Sequence, residues 1–123
     1  MHPTGSAFRA AIEKGDHHAA ADLCAEDVVF HSPIVFKTYN GRAEVDVILA
    51  AVAQVFEDFS YTGEFSSEDG CVLAFAARVG DRAIDGIDML RFGPSGEIVE
   101  FTVMVRPYSA ATALRERMAA LLS

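Results

Sequence analysis

The hydrophobic repeat of the chain changes near residue 60 from helical spacing to strand spacing. In residues 42 to 59, apolar side chains recur at intervals of three and four, the spacing that lines one face of an α-helix. This stretch predicts the longest helix of the chain, with an apolar stripe made by Val45, Ile48, Leu49, Val52, Val55, Phe56 and Phe59. Such a stripe must be buried against another apolar surface, and the residues that follow predict one.

Beyond Tyr61, apolar and polar residues alternate, which is the spacing of β-strands. Four strands are predicted, in residues 62–69, 71–79, 82–92 and 97–107. Turn-forming residues separate them at Asp69-Gly70, at Gly80-Asp81 and over residues 93–96. Because these loops are short, neighbouring strands are expected to run antiparallel.

The first third of the chain is mainly helical in pattern. Helices are predicted over residues 5–14 and 17–25, with Gly15 ending the first and Asp16 capping the second. A short strand over residues 27–33 follows and stops at Pro33. The connecting segment after it ends in an Asn-Gly turn, and whether it holds a further short strand stays open.

The end of the chain predicts one more helix, over residues 109–122. Helices that precede a run of strands are typical of the α+β class. A chain of 123 residues is expected to form a single domain, 1–123, with a core over residues 7–107 and this C-terminal helix.

Both faces of the predicted sheet are apolar. In the last strand, one face carries Val99, Phe101, Val103 and Val105, and the other carries Ile98, Thr102 and Met104. The helices can cover only one face, so the second face needs another cover. A copy of the same sheet is the simplest cover, and a homodimer through the sheet face is therefore predicted.

Composition excludes several classes of partner. The net charge is −8 with no basic cluster, which argues against nucleic acid and against anionic membranes. No apolar run is long enough to span a bilayer, and the first residues do not resemble a secretion signal. Cys24 and Cys71 stand alone in apolar surroundings, so buried free thiols and a cytoplasmic location are expected, with a disulfide as the less favoured alternative.

Asp88 lies in the middle of a predicted strand and shares a face with Leu90 and Phe92. A carboxylate among such neighbours must find partners, stay protonated or border a cavity. If it faces a cavity, burial raises its pKa and makes it an acid or hydrogen-bond donor near neutral pH. The alternative is a structural carboxylate that pairs with an arginine or with backbone groups.

Two helices around Gly15-Asp16, the strand "DVVFHSP", a long helix after Gly41 and the segment "GIDMLRFGPSGEIVEF" resemble the nuclear transport factor two-like superfamily, and within it the SnoaL-like group. The resemblance covers residues 7 to 107. It implies a cystatin-like conical barrel, in which a strongly curved antiparallel sheet wraps around N-terminal helices and encloses a pocket. It does not fix the chemistry, because this fold serves isomerases, cyclases, dehydratases and proteins with no reaction.

The resemblance supplies catalytic positions to compare one by one. The tyrosine, the base and the protonated aspartate of ketosteroid isomerases fall on Phe8, Ser32 and Asp88, so only the aspartate is kept. This argues against steroid isomerisation by that mechanism. Asp88 also matches the acid/base aspartate of the polyketide cyclases, but the histidine that they place on the preceding strand has no counterpart in residues 71–79.

The candidate site follows from these matches. Asp88 and His31 are the candidate catalytic residues, although His31 reaches the pocket only if its strand twists near Pro33 and is otherwise structural. The candidate ligand-binding residues are Ser32, Phe8, Phe56, Phe101 and Phe30, and Tyr39, Tyr61 and Tyr108 are further hydroxyls that a pocket could use. His17 and His18 are adjacent on a helix and are expected to diverge, which makes them a poor metal site.

No Gly-rich phosphate loop is present, and no cofactor or metal is predicted. The expected function is binding of a small hydrophobic organic molecule in an apolar pocket, with acid/base chemistry of the isomerase or cyclase type. The alternative is a non-catalytic ligand-binding or dimeric interaction module.

Overall fold

A computed structural model describes residues 2–122. Within this range the elements are α1 (Pro3–Glu13), α2 (His17–Asp22), β1 (Cys24–His31), β2 (Thr38–Asn40), α3 (Arg42–Val55), β3 (Glu57–Ser66), β4 (Gly70–Val79), β5 (Arg82–Phe92), β6 (Ile98–Arg106) and α4 (Tyr108–Leu122). The α+β class is confirmed, and the segment before Gly41 does contain a short strand.

The strands form one curved sheet in the order β2-β1-β6-β5-β4-β3. All neighbours are antiparallel except β1 and β6, which run parallel and are separated along the chain by α3 and four further strands. The edge strands β2 and β3 do not pair with each other, so the barrel is not closed. Helices cover the concave side of the sheet.

Two helices end earlier than their sequence pattern predicts. The helix predicted to reach Phe59 ends at Val55, because Phe56 is extended (φ −75°, ψ 133°) and Asp58 turns the backbone with φ 53°. The helix predicted to reach residue 25 ends at Asp22, because Cys24 already pairs with Ile98 across β1 and β6. In both places strand pairing overrides helical spacing.

A β-bulge corrects the predicted faces of β6. The β5–β6 register shifts between Arg91 and Phe92, so that Glu100 and Ile98 are successive partners and Val99 is the extra residue. Ile98 therefore turns inward and is fully buried, whereas the alternation had placed it on the same face as Thr102 and Met104. Thr102 and Met104 lie on the outer face, since their register partners Met89 and Ile87 alternate with inward-facing Asp88.

Further register shifts in the β3–β4 pair lie between Glu57 and Ser60 and between Tyr61 and Gly63. Shifts of this kind bend a strand and increase its twist. They curve the edge of the sheet around the helices, and Tyr61 is buried on the concave side.

Cys24 and Cys71 are buried free thiols, as predicted. Burial raises the pKa of each thiol to about 11, which leaves both protonated at neutral pH. Within residues 2–122, none of the helices combines the length and the hydropathy needed to cross a bilayer.

Candidate functional site

A cavity of about 380 Å³ lies between the concave face of the sheet and helices α1, α3 and α4. Its volume falls in the range of small-molecule sites. Its walls are mainly aliphatic and aromatic side chains from all three helices, from the segment after β1 and from strands β3 to β6. The core is therefore incompletely filled at its centre.

The structure brings together the predicted ligand-binding residues. The side chains that line the cavity include Phe8, Phe30, Phe56, Phe101 and Ser32. The ring of Phe101 is nearly perpendicular to two others, that of Phe8 at 5.4 Å and that of Phe30 at 5.1 Å between ring centroids. These perpendicular contacts fix the orientation of the aromatic wall.

Ser32 lies at the cavity wall but its oxygen is used locally. The hydroxyl oxygen accepts hydrogen bonds from the backbone N–H groups of Ile34 at 3.2 Å and Val35 at 3.4 Å. These bonds hold the turn that follows Pro33. Ser32 therefore supports a turn at the cavity wall. A serine hydroxyl does not act as a general base without a partner that activates it.

Asp88 faces the cavity and is 7% exposed. It lies in β5 between Leu73 of β4 and Val103 of β6. Its hydrogen-bond partner is the hydroxyl of Tyr61, which donates to Oδ2 at 2.9 Å. Within residues 2–122 no arginine, lysine or histidine lies within 4.0 Å of its carboxylate.

Burial without a cation changes the chemistry of this carboxyl group. It raises the pKa of Asp88 from 3.8 to about 7, and the hydrogen bond from Tyr61 offsets part of this rise because it favours the charged form. Both protonation states are therefore populated near neutral pH. A group with such a pKa is suited to giving and taking protons at neutral pH.

Tyr61 is the residue whose role sequence reasoning missed. The sequence indicates it only as one of three candidate hydroxyls, and the structure makes it the partner of Asp88. Phe59 lies edge-on to its ring at 5.0 Å between centroids, and the Arg9 guanidinium lies 5.6 Å from the ring centroid. Burial, and then the charge and hydrogen bond of Asp88, raise the pKa of Tyr61, so it stays a neutral donor. No sequence signal pointed to this pairing, because the helical spacing placed Phe59 on the long helix and the first predicted strand began only after Tyr61.

The structure does not bring His31 into the cavity. It is still part of the strand ladder, paired with Thr102 of β6 and Thr38 of β2, so normal alternation keeps it on the outer face. There its Nε2 lies 2.8 Å from Glu100 Oε2. The twist near Pro33 that would have turned it inward does not occur, which corrects its predicted place opposite Asp88.

One group of metal-ligating side chains stands out within residues 2–122, and it lies outside the cavity. His17, His18 and Asp46 place one ligand atom each within 4.8 Å of one another. The two imidazole rings are 4.6 Å apart instead of diverging, because His18 Nδ1 turns toward Asp46 Oδ1 at 2.8 Å. This pairing connects α2 to α3 and corrects the expectation that adjacent histidines point apart.

The fold and site define a class of protein: a small α+β domain whose curved sheet encloses an apolar cavity with a buried carboxylate. The SnoaL-like domain family matches residues 6–101, and the chain belongs to this family. No curated protein matches the chain.

Solved structures agree with this assignment. An uncharacterised protein with a cystatin-like fold from Silicibacter pomeroyi is 36% identical, with a TM-score of 0.94 over 98% of this chain and 86% of its own. A steroid delta-isomerase from Pseudomonas aeruginosa is 43% identical, with a TM-score of 0.92 over 97% of this chain and 88% of its own. A candidate SnoaL-like polyketide cyclase from Shewanella denitrificans is 16% identical, with a TM-score of 0.68 over 95% of both chains, and shows the fold alone.

Replacing Asp88 with asparagine tests its protonation through stability. Because the folded pKa of about 7 lies above the unfolded value near 3.8, the unfolded wild type loses its proton first as the pH rises. The contribution of Asp88 to the free energy of unfolding therefore falls between about pH 4 and pH 7 and stays constant above. The uncharged variant does not lose stability in this way. The free energy of unfolding of the variant minus that of the wild type is therefore expected to grow by roughly 4 kcal/mol across that range.

Urea denaturation at several pH values measures this difference. Asp85→Asn, which removes an exposed carboxylate from the same strand, is the matched control and is expected to change by less than about 1 kcal/mol. A difference for Asp88→Asn that does not vary with pH would show that the carboxyl group titrates normally.

Proposed function

We propose that the cavity binds a small, mostly apolar organic molecule that carries a carbonyl group, and that Asp88 exchanges a proton with it. The observation that carries the proposal is the Asp88 carboxyl group, which is buried beside the cavity with Tyr61 as its hydrogen-bond partner. The 43% identity to a steroid delta-isomerase supports chemistry of the isomerase type.

The proposed mechanism uses both protonation states of Asp88. The carboxylate form accepts a proton from the carbon next to the carbonyl group, which leaves an enolate. The carboxyl group formed in this way returns the proton to another carbon of the enolate, which gives the isomer and restores the carboxylate. Tyr61 holds Oδ2, which leaves Oδ1 to face the ligand, and the apolar walls exclude water.

A second candidate is a ligand-binding domain without a reaction. The observation in its favour is that, among the described residues, no other carboxylate and no histidine lines the cavity. Ser32 supports a turn, and His31 lies on the outer face. In this alternative the Asp88–Tyr61 pair recognises the carbonyl oxygen but moves no proton.

Proton exchange in deuterated water distinguishes the two. With β-tetralone and a β,γ-unsaturated ketosteroid as probes, the wild type is expected to accelerate loss of the α-proton NMR signals, and the rate is expected to level off above about pH 7 as Asp88 ionises. Asp88→Asn is expected to bind both ketones and to exchange no faster than buffer. Asp85→Asn, which lies outside the cavity, is the control.

The possible outcomes separate the proposals. Ketone binding with equal exchange in the wild type and in Asp88→Asn favours the non-catalytic domain. Absence of ketone binding to the wild type contradicts both proposals.

We further propose that the protein is a cytoplasmic homodimer assembled through the outer face of the sheet. Free buried thiols are usual in a reducing compartment. Ala74, Ile87 and Met104 are neighbours across three strands and form the apolar centre of the outer face. Charged groups border this centre, with the Asp85–Arg106 pair at one end and the Arg91–Glu100 pair at the other. An apolar centre between oppositely charged pairs can face a second copy of itself.

Met104→Glu is expected to convert the dimer to a monomer, because it buries a charge at the proposed interface. Val47→Glu is the matched control, since Val47 is 56% exposed on α3 and Met104 is 51% exposed on β6. Light scattering at micromolar concentration measures the mass of each. A monomeric wild type, or equal dissociation by both substitutions, would contradict the dimer.

A further inference from the structure

The mouth of the cavity lies between helix α4 and the segment after β1. Four cavity-lining residues are exposed, and they mark this opening: Val35, Arg115, Ala119 and Leu122. The last three are spaced by four and three residues, which places them on one face of α4. Leu114 and Met118 are buried beside them and pack toward the interior.

Two charged side chains line the cavity within the described residues, and they occupy opposite environments. Asp88 is buried, whereas Arg115 is exposed at the mouth. In residues 2–122 no carboxylate lies within 4.0 Å of the Arg115 guanidinium, although Arg9, Arg78, Arg91 and Arg106 each have such a partner. The mouth therefore presents a guanidinium group whose donors are available to a ligand.

We infer that the cavity selects an amphiphilic carboxylic acid, bound with its apolar body inside and its carboxylate at Arg115. This inference rests on the proposed binding function and names the class of ligand. A guanidinium group matches a carboxylate with two parallel hydrogen bonds. The reverse orientation would place the ligand carboxylate beside Asp88 in an apolar interior, where like charge and desolvation both oppose it.

The same two groups account for a ligand with two different polar ends. A carbonyl oxygen accepts a hydrogen bond from protonated Asp88, and the carboxylate remains at the solvent-facing mouth. The net charge of −8 repels anions at long range, so the selectivity arises from the local contact with Arg115 and not from the overall field. An oxo acid with an apolar chain or ring system fits both ends.

Decanoate and decanol are a matched pair of probes, since they share the apolar chain and differ in the charged head. Calorimetric titration at about pH 6 keeps decanoate ionised and Asp88, with its pKa of about 7, mostly neutral. The wild type is expected to bind decanoate roughly twofold to fivefold more tightly than decanol, the range usual for an exposed charge pair. In Arg115→Gln this ratio is expected to fall to about one, because the partner of the ligand carboxylate is removed.

Two variants sharpen the test. Arg117→Gln removes an equal charge from the same helix, where the guanidinium lies against Gly80 and not in the cavity, and it is expected to keep the preference for decanoate. Arg115→Lys is expected to keep part of it, because the charge remains but the paired donors are lost. Thermal unfolding of each variant verifies that α4 stays folded.

The outcomes distinguish this inference from the proposed binding function. If the wild type binds decanol and decanoate equally, or if Arg117→Gln reduces the preference as much as Arg115→Gln does, selection by Arg115 is wrong and the apolar cavity still binds ligand. If the wild type binds neither probe, the inference fails, and ketone binding decides the proposed function separately.

Discussion

The hydrogen bond from Tyr61 to Asp88 spans the width of strand β4. Tyr61 is on β3 and Asp88 is on β5, and two strand spacings amount to roughly 10 Å. The contact requires a strongly curved sheet and open space above β4. Gly86 of β5 makes room for the Phe75 ring, because a Cβ added at Gly86 would overlap that ring. The same curvature of the sheet therefore forms the cavity and brings Tyr61 to Asp88.

Keeping this carboxyl group inside the sheet opposes folding. A rise in pKa from 3.8 to about 7 corresponds to roughly 4 kcal/mol at neutral pH, and Tyr61 offsets only part of the cost of burial. The central strand could hold an apolar residue at this position without that cost. A buried carboxyl group with one hydrogen-bond partner beside a cavity is the pattern expected of a functional site. The proposed function explains why the fold keeps this residue despite its cost to stability.

Much of the fold could be predicted from the sequence, because spacing and turn residues are local signals. The helix ahead of Tyr61 and the strands after it follow from periodicity, which also places Asp88 on the same face as Leu90 and Phe92. The early end of α3 and the inward turn of Ile98 did not, since each depends on strand pairing with residues distant along the chain. The cavity-lining phenylalanines were identified through their apolar positions and through the resemblance to the family.

The contacts within the candidate site were harder to predict from the sequence. The Tyr61–Asp88 contact depends on the curvature of three strands, which alternation alone does not specify. His31 was a plausible base by residue type, but the regular ladder on both sides of β1 keeps it outside. The mouth at Arg115 depends on where α4 packs, and a helical pattern gives only its apolar face.

Asp88 is thus placed as an acid with a raised pKa beside an apolar cavity. An NMR titration of its side-chain carboxyl carbon in the unliganded protein, assigned by comparison with Asp88→Asn, tests this directly. The expected midpoint is at about pH 7. A midpoint near about 4, the ordinary value for an aspartic acid, would contradict it.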